Sequence, residues 1–193
     1  MPNKSYTVEK VGSIIKLTEK EESMIDQLFS REEVKAGDYL LKMGEVCNKT
    51  WLIEKGLLQF TIIDDGDYRT FVFRGEGEFT SDMDSFINKS VSQKNIIALE
   101  DCVLHSITYD QMQTLFANIS LGERFGRLLA ERAFVSVVNH FISFYTKTPE
   151  ERYLSVLNSK LNLLQRVPQY LIASYLGIKP QSLSRIRRRF IQK

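Results

Sequence analysis

From about Thr18 to Arg31 the apolar positions recur with a helical period. Met24, Ile25, Leu28 and Phe29 share one side, and Thr18 with Glu21 has the spacing of a capping box at the start. Between residues 37 and 107 the period shortens. Brief apolar runs at 39–41, 51–53, 57–63, 70–73, 96–99 and 103–107 alternate with turn sequences such as Gly37-Asp38, Gly44-Glu45, Lys55-Gly56, Asp64-Asp65-Gly66-Asp67 and Gly75-Glu76-Gly77-Glu78. Six of the ten glycines fall between positions 37 and 77, which concentrates tight turns there and predicts an antiparallel sandwich or barrel of short strands.

The pattern becomes helical again from about Tyr109 to Thr146, with a long helix expected from about Ser120. Ala130, Phe134, Val137, Phe141 and Phe144 fall on one side of it. Phe125, Leu128, Val135 and Ile142 fall roughly opposite, interrupted at seven-residue spacing by Arg132 and Asn139. Two apolar faces call for two partners. One face is expected to cover the barrel of its own chain, and the other, with Phe125, Leu128, Arg132, Val135, Asn139 and Ile142, to meet the same helix of a second subunit. A helix buried all round within one protomer is the alternative. Thr148-Pro149-Glu150-Glu151 then reads as a helix start, with Thr148 and Glu151 capping each other and proline at the first helical position. That helix is expected to run to about Leu164, burying Tyr153, Leu154, Leu157 and Leu161.

Residues 169–190 have the spacing of two short helices joined by a tight turn, a helix-turn-helix. Ala173 stands where the helices approach closely, and Gly177 where the first must turn through a positive φ. Ile172, Leu176, Ile178, Leu183 and Ile186 form the inward set, and Pro180 suits the first turn of the second helix. The outward side of that helix is basic: Lys179, Arg185, Arg187, Arg188, Arg189 and Lys193, with no acid among residues 179–193. Phosphate attraction follows from that charge. Gln181, Ser182 and Arg185 occupy the early turns from which side chains reach base edges, whereas Lys179 and Arg187–Arg189 are expected to contact phosphates.

Charge sharpens this picture. Residues 1–110 carry 13 Lys and Arg against 20 Asp and Glu, and residues 111–193 carry 13 against 4, for nets of −7 and +9. Only the C-terminal part is therefore suited to a polyanion. Two separated cysteines and two lone histidines give no metal site. There is no Ser-His-Asp or Cys-His constellation and no phosphate-cradling glycine loop, so an enzyme is not expected. No signal-peptide core or apolar span of membrane length is evident, so a cytoplasmic location is expected.

The order of these parts resembles the Crp-Fnr family of bacterial transcription regulators. The resemblance is carried by Ala36-Gly37-Asp38-Tyr39-Leu40, Gly44-Glu45, Leu52-Ile53-Glu54-Lys55-Gly56, Gly77-Glu78-Phe79, Ile172-Ala173-Ser174-Tyr175-Leu176-Gly177 and Leu183-Ser184-Arg185-Ile186. It implies an α+β chain in three parts: a cyclic-nucleotide-binding-like β-roll (jelly roll) over residues 1–110, a long connecting and dimerisation helix over 111–146, and a helix-turn-helix domain over 147–193. It further implies a homodimer on palindromic double-stranded DNA, with RNA polymerase as a further partner. The effector pocket departs from the family. Where cyclic-nucleotide binders carry Gly-Glu and later Arg-Ser, this chain has Ser81-Asp82 and Gln93-Lys94, close to Glu78. Asp82 and Asp84 add negative charge where a phosphate would sit, and Lys94 lacks the fork of a guanidinium. Val137 and Val138 replace a polar pair that would meet the purine. Cyclic AMP is therefore not expected as the effector, no cofactor is expected, and the effector's identity is left open. Because Lys193 closes the sequence just after the second helix, no hairpin wing is expected. A sensor of small molecules or protein partners without direct DNA readout is the rival reading.

Overall fold

The computed structural model describes residues 4–191, so Lys193 lies outside the described part. The chain opens with α1 (Tyr6–Gly12), capped by the Ser5 hydroxyl, and α2 (Glu19–Leu28), whose Thr18–Glu21 capping box forms as expected. Eight strands follow: β1 (Ser30–Val34), β2 (Tyr39–Leu41), β3 (Lys49–Lys55), β4 (Leu58–Asp64), β5 (Asp67–Arg74), β6 (Phe79–Thr80), β7 (Asn95–Ala98) and β8 (Cys102–Thr108). A short helix, α3 (Met83–Asn88), stands between β6 and β7.

The strands make two four-stranded antiparallel sheets ordered β1-β8-β3-β6 and β2-β7-β4-β5, the β-roll-like architecture that the glycine-bounded runs predicted. Between them lie Leu41, Trp51, Ile53, Leu58, Phe60, Phe86, Ile96, Ala98 and Leu104. Strand β1 was not visible in the apolar pattern because its sequence, Ser-Arg-Glu-Glu-Val, is that of a polar edge strand. It is placed by its register along β8, from Ser30 opposite Ser106 to Val34 opposite Cys102.

Helix α4 (Tyr109–Asn118) turns sharply into α5 (Gly122–Thr146). Gly122 makes the corner possible, since a β-carbon there would lie 2.5 Å from the Leu115 carbonyl oxygen. The first turns of α5 belong to a second core beneath α1, α2 and α4, where Phe125 and half-buried Leu129 meet Val11, Ile25, Phe29 and Leu115. The expected division of α5 into a roll-covering face and a partner face is corrected here. Phe134, Val137 and Phe141, expected on the roll, are 71%, 60% and 61% exposed, while Phe125, expected at the subunit seam, is buried and packs edge-on against Phe79. The reason is geometric: α5 enters the second core through its first turns, and farther along only its His140 side returns to the roll, at the Phe71 backbone of β5, which leaves Phe134, Val137 and Phe141 bare.

Four more helices follow among the described residues: α6 (Pro149–Leu157), α7 (Leu163–Arg166), α8 (Gln169–Tyr175) and α9 (Pro180–Ile191). The Thr148–Glu151 capping box and Pro149 start α6 as expected. Its expected extension to Leu164 is corrected: the helix stops at Leu157, and Asn162 enters the left-handed region at φ 49° before α7 begins. The buried stripe changes accordingly. Tyr153 and Val156 are buried, Leu154 and Leu157 are exposed, and Leu161 turns toward Gly75 of the roll.

A third core therefore spans both parts of the chain, joining Leu57 and Phe73 of the roll to Tyr153, Val156, Leu163, Ile172, Leu176 and Leu183. Its polar edge is held by Arg166, which bonds Glu76 through Nη2 at 2.7 Å and Nη1 at 3.0 Å, and Glu100 through Nε at 3.2 Å. The Thr70 amide donates to Ser174 Oγ at 2.9 Å, tying β5 to α8. No helix among the described residues is long and apolar enough to cross a membrane.

Candidate nucleic-acid interface

Helices α8 and α9 are joined through Leu176, Gly177, Ile178 and Lys179. Gly177 adopts φ 67°, a conformation that strains any residue with a side chain. The Ile178 amide donates back to the Ala173 carbonyl at 3.0 Å, closing the turn. Ala173 is completely buried at the crossing, and Leu183 and Ile186 of α9 are buried beneath it. All four expected scaffold positions, Ala173, Gly177, Leu183 and Ile186, are thus brought together.

Arg152 is a contributor that periodicity did not reveal. From α6 it donates to the Leu176 carbonyl at 3.0 Å and to the Lys147 carbonyl at 2.8 Å, and its guanidinium lies 5.0 Å from the centre of the Phe144 ring. One side chain therefore clips the end of α5 and the α8–α9 turn to α6. No local pattern marks it, because its partners are brought to it by the packing of separate helices.

On the open side of α9, Lys179, Gln181, Ser182, Arg185, Arg188 and Arg189 are exposed, whereas Arg187 is half-buried. Arg189 Nη1 lies 3.1 Å from Glu150 Oε1 of α6. The remaining basic groups of α9 have no acidic partner among the described ion pairs, so their charge is directed at solvent.

The expected effector residues do not form one site. Glu78 lies in the turn before β6, bonded to the Gly75 amide at 2.8 Å and to Arg74 at 3.2 Å; Gln93 is exposed. Ser81 donates to the Lys49 carbonyl at 3.1 Å. Only Asp82 and Lys94 meet. The Asp82 carboxylate, 2% exposed, accepts from the Lys94 ammonium and, at 2.7 Å, from the Ser92 hydroxyl. Ser92, which the sequence reading did not single out, also accepts from the Lys94 amide at 3.0 Å. The cationic group nearest this site is therefore already neutralised by the chain's own carboxylate.

Titration behaviour marks the junction between roll and helices. Burial pushes the Glu76 carboxyl up, but the Arg166 guanidinium and the Gly56 amide more than offset this, so it lies below its usual 4.5. His140 of α5 is held below its usual 6.5 by burial and then by Arg74, against a hydrogen bond with the Phe71 backbone. Its ring stacks on Tyr175 of α8 at 5.4 Å and meets Phe144 edge-on at 5.1 Å. No cluster of His, Cys, Asp and Glu among the described residues could hold a metal ion.

Residues 31–118 match the cyclic nucleotide-binding domain family, which covers most of the roll together with α4. No curated protein sequence matches the chain. Among solved structures, a protein from Eubacterium rectale assigned to the crp/fnr family of transcriptional regulators is similar at 18% identity, over 90% of this chain and 83% of that one, with a TM-score of 0.70. FixK2 from Bradyrhizobium japonicum is similar at 13% identity over 85% of each chain, TM-score 0.70. The catabolite activator protein of Thermus thermophilus is similar at 17% identity over 95% of this chain and 87% of that one, TM-score 0.58. At these identities the likeness is one of fold, and it extends beyond the roll to the helices that follow.

Proposed function

We propose that the protein is a transcription regulator that binds double-stranded DNA as a homodimer, using α8 and α9 as a helix-turn-helix. The observation that carries this reading is the open side of α9, where Gln181, Arg185 and Arg188 stand exposed above a buried Leu183–Ile186 base, with no acidic residue in the helix. An arginine can grip guanine and a glutamine adenine through paired hydrogen bonds in the major groove. The fold shared with crp/fnr-family and catabolite activator proteins supports the same reading.

The exposed part of α5 supplies the dimer surface. Arg132, Val135, Asn139 and Ile142, with Leu128 half-buried before them, run along one side, and Phe134, Val137, Phe141 and Tyr145 remain bare beside them. So much adjoining apolar surface on one helix is costly in water and fits a partner helix. Two paired subunits would set their α9 helices in successive major grooves, about 34 Å apart. The functional units of this reading are the roll at 1–110, the dimer helix at 111–146 and the reader at 147–193.

Cyclic AMP is not the effector in this reading, because Asp82 already occupies Lys94 and would repel a phosphate. Titration calorimetry should show no heat for cyclic AMP; a saturable heat would contradict this part of the account. For the central reading, duplexes selected from random DNA should share an enriched motif. Arg185→Ala should bind that motif at least 10-fold more weakly, as loss of a bidentate base contact implies. Salt-sensitive binding with no enriched motif, unchanged in Arg185→Ala, would contradict it.

A further inference from the structure

The three consecutive arginines of α9 face three different surroundings. We infer that Arg188 is a base-reading residue, alongside Gln181 and Arg185, while Arg189 and Arg187 are not; this inference rests on the reading of α9 as a DNA-reading helix. Leu183 and Ile186, 1% and 4% exposed, together with half-buried Phe190 define the inward side of the helix. At 3.6 residues per turn the side directly opposite runs through Gln181, Ser184, Arg185 and Arg188, the i, i+3, i+4, i+7 stripe, and all four are exposed. Ser182 and Arg189 lie off this stripe on the flank facing α6, where they line a groove with Pro149, Glu150, Arg185 and Ile186. Arg187 lies on the other flank, next to the buried side, and is half-buried.

Chemistry follows this placement. The Glu150 carboxylate 3.1 Å from Arg189 neutralises part of its charge and draws it toward α6, away from the stripe. The Ser184 hydroxyl donates to the Pro180 carbonyl at 3.1 Å, so it is turned back on its own helix. Ser184 therefore offers a small, satisfied surface between three long side chains, and the helix axis can come close to the base pairs. Arg188 is then free to present its planar fork to guanine O6 and N7. Gln181 and Arg188 are separated by about 10 Å along the helix, which spans about three base-pair steps. The structure thus assigns to each half-site a core of about four base pairs, with an adenine facing Gln181 at one end and a guanine facing Arg188 at the other.

The test compares wild type with Arg188→Ala, Arg188→Lys, Arg189→Ala and Arg187→Ala. Each is used first in selection from random duplexes, then in binding to the wild-type motif and to a scrambled duplex across a salt series. Circular dichroism and thermal midpoints confirm that each variant folds. Both Arg188 variants are expected to lose the preference at one motif position and to bind the motif at least 10-fold more weakly. Arg188→Lys should leave binding to the scrambled duplex within about 2-fold, because it keeps the charge and lacks only the fork. Arg189→Ala and Arg187→Ala should leave every base preference intact. A wild-type motif that Arg188→Lys retains in full, or a base preference lost in Arg189→Ala, would overturn the assignment of Arg188 while leaving the DNA-reading function standing. Absence of any wild-type motif would remove both.

Discussion

At the scale of single residues, the charged groups that matter are those with fixed partners. Glu21 caps α2 from Thr18 and also accepts from the Ser120 amide at 2.7 Å, so it fastens the start of the chain to the α4–α5 corner. The bonds from the Thr18 and Ser120 amides hold its carboxyl at about 2, against an ordinary 4.5. A carboxyl depressed in this way stabilises the fold fully above about pH 4.5 and loses that contribution as the pH falls toward 2. Urea denaturation should therefore show stability declining across this range in wild type and declining less in Glu21→Gln. Lys94 and Asp82 make the second case. Lys94→Met leaves a carboxylate that is 2% exposed without its cation, and the expected loss is about 3 kcal/mol, tempered by the partial exposure of Lys94. Adding Asp82→Asn should recover part of that loss. Strict additivity in this double-mutant cycle would show that the two groups do not interact.

At the scale of elements, the contact between β5 and α8 is the feature with most leverage, because it fixes the C-terminal helices against the roll and, in the proposed reading, would orient α9 toward DNA. It combines Phe73 against Tyr175 at 5.2 Å and Thr70 with Ser174, and it is flanked by Arg166 of α7, which pairs with Glu76 and Glu100 in loops of the roll. Arg166→Ala should loosen it, raising amide exchange in 67–74 and 169–175 while leaving β3 and β8 protected; unchanged exchange in α8 would show that the pair does not hold the junction. Acid should act in the same direction. Glu76 is held below 4.5 and His140 below 6.5, so each contributes fully above its ordinary value and loses that contribution as the pH falls. The same scale shows what sequence patterns carry. Thr18–Glu21 and Thr148–Glu151 were legible because a cap is local, and the glycine-bounded strands because tight turns are local too. The exposed side of α9 followed from its spacing for Gln181, Ser182, Arg185, Arg188 and Arg189, but Arg187, expected among the outward basic groups, is half-buried. What failed was non-local. The apolar period of α5 says that a face seeks cover but not from which partner, so Phe125 and Phe134 were assigned the wrong neighbours. The Asp82–Lys94 pair, closed across the α3–β7 loop, and the Arg152 clip depend on chain paths that no spacing encodes.

At the scale of the whole molecule, an acidic roll is followed by a basic C-terminal part, and the helix between them is largely bare beyond Ala130. In the proposed reading, the exposed apolar positions of α5 beyond Ala130 pair two subunits, and pairing would hold their α9 helices at a fixed separation. Phe134→Asp with Ile142→Asp should therefore shift sedimentation from dimer to monomer and weaken operator binding at least 100-fold, through loss of the second half-site. The most direct test of the account is hydroxyl-radical footprinting on a duplex selected by the wild-type protein. Two protected patches on one side of the helix, centred about 10 base pairs apart and related by a twofold axis, are the expected result. A single patch, or protection spread evenly along the duplex, would contradict a paired, sequence-reading α9.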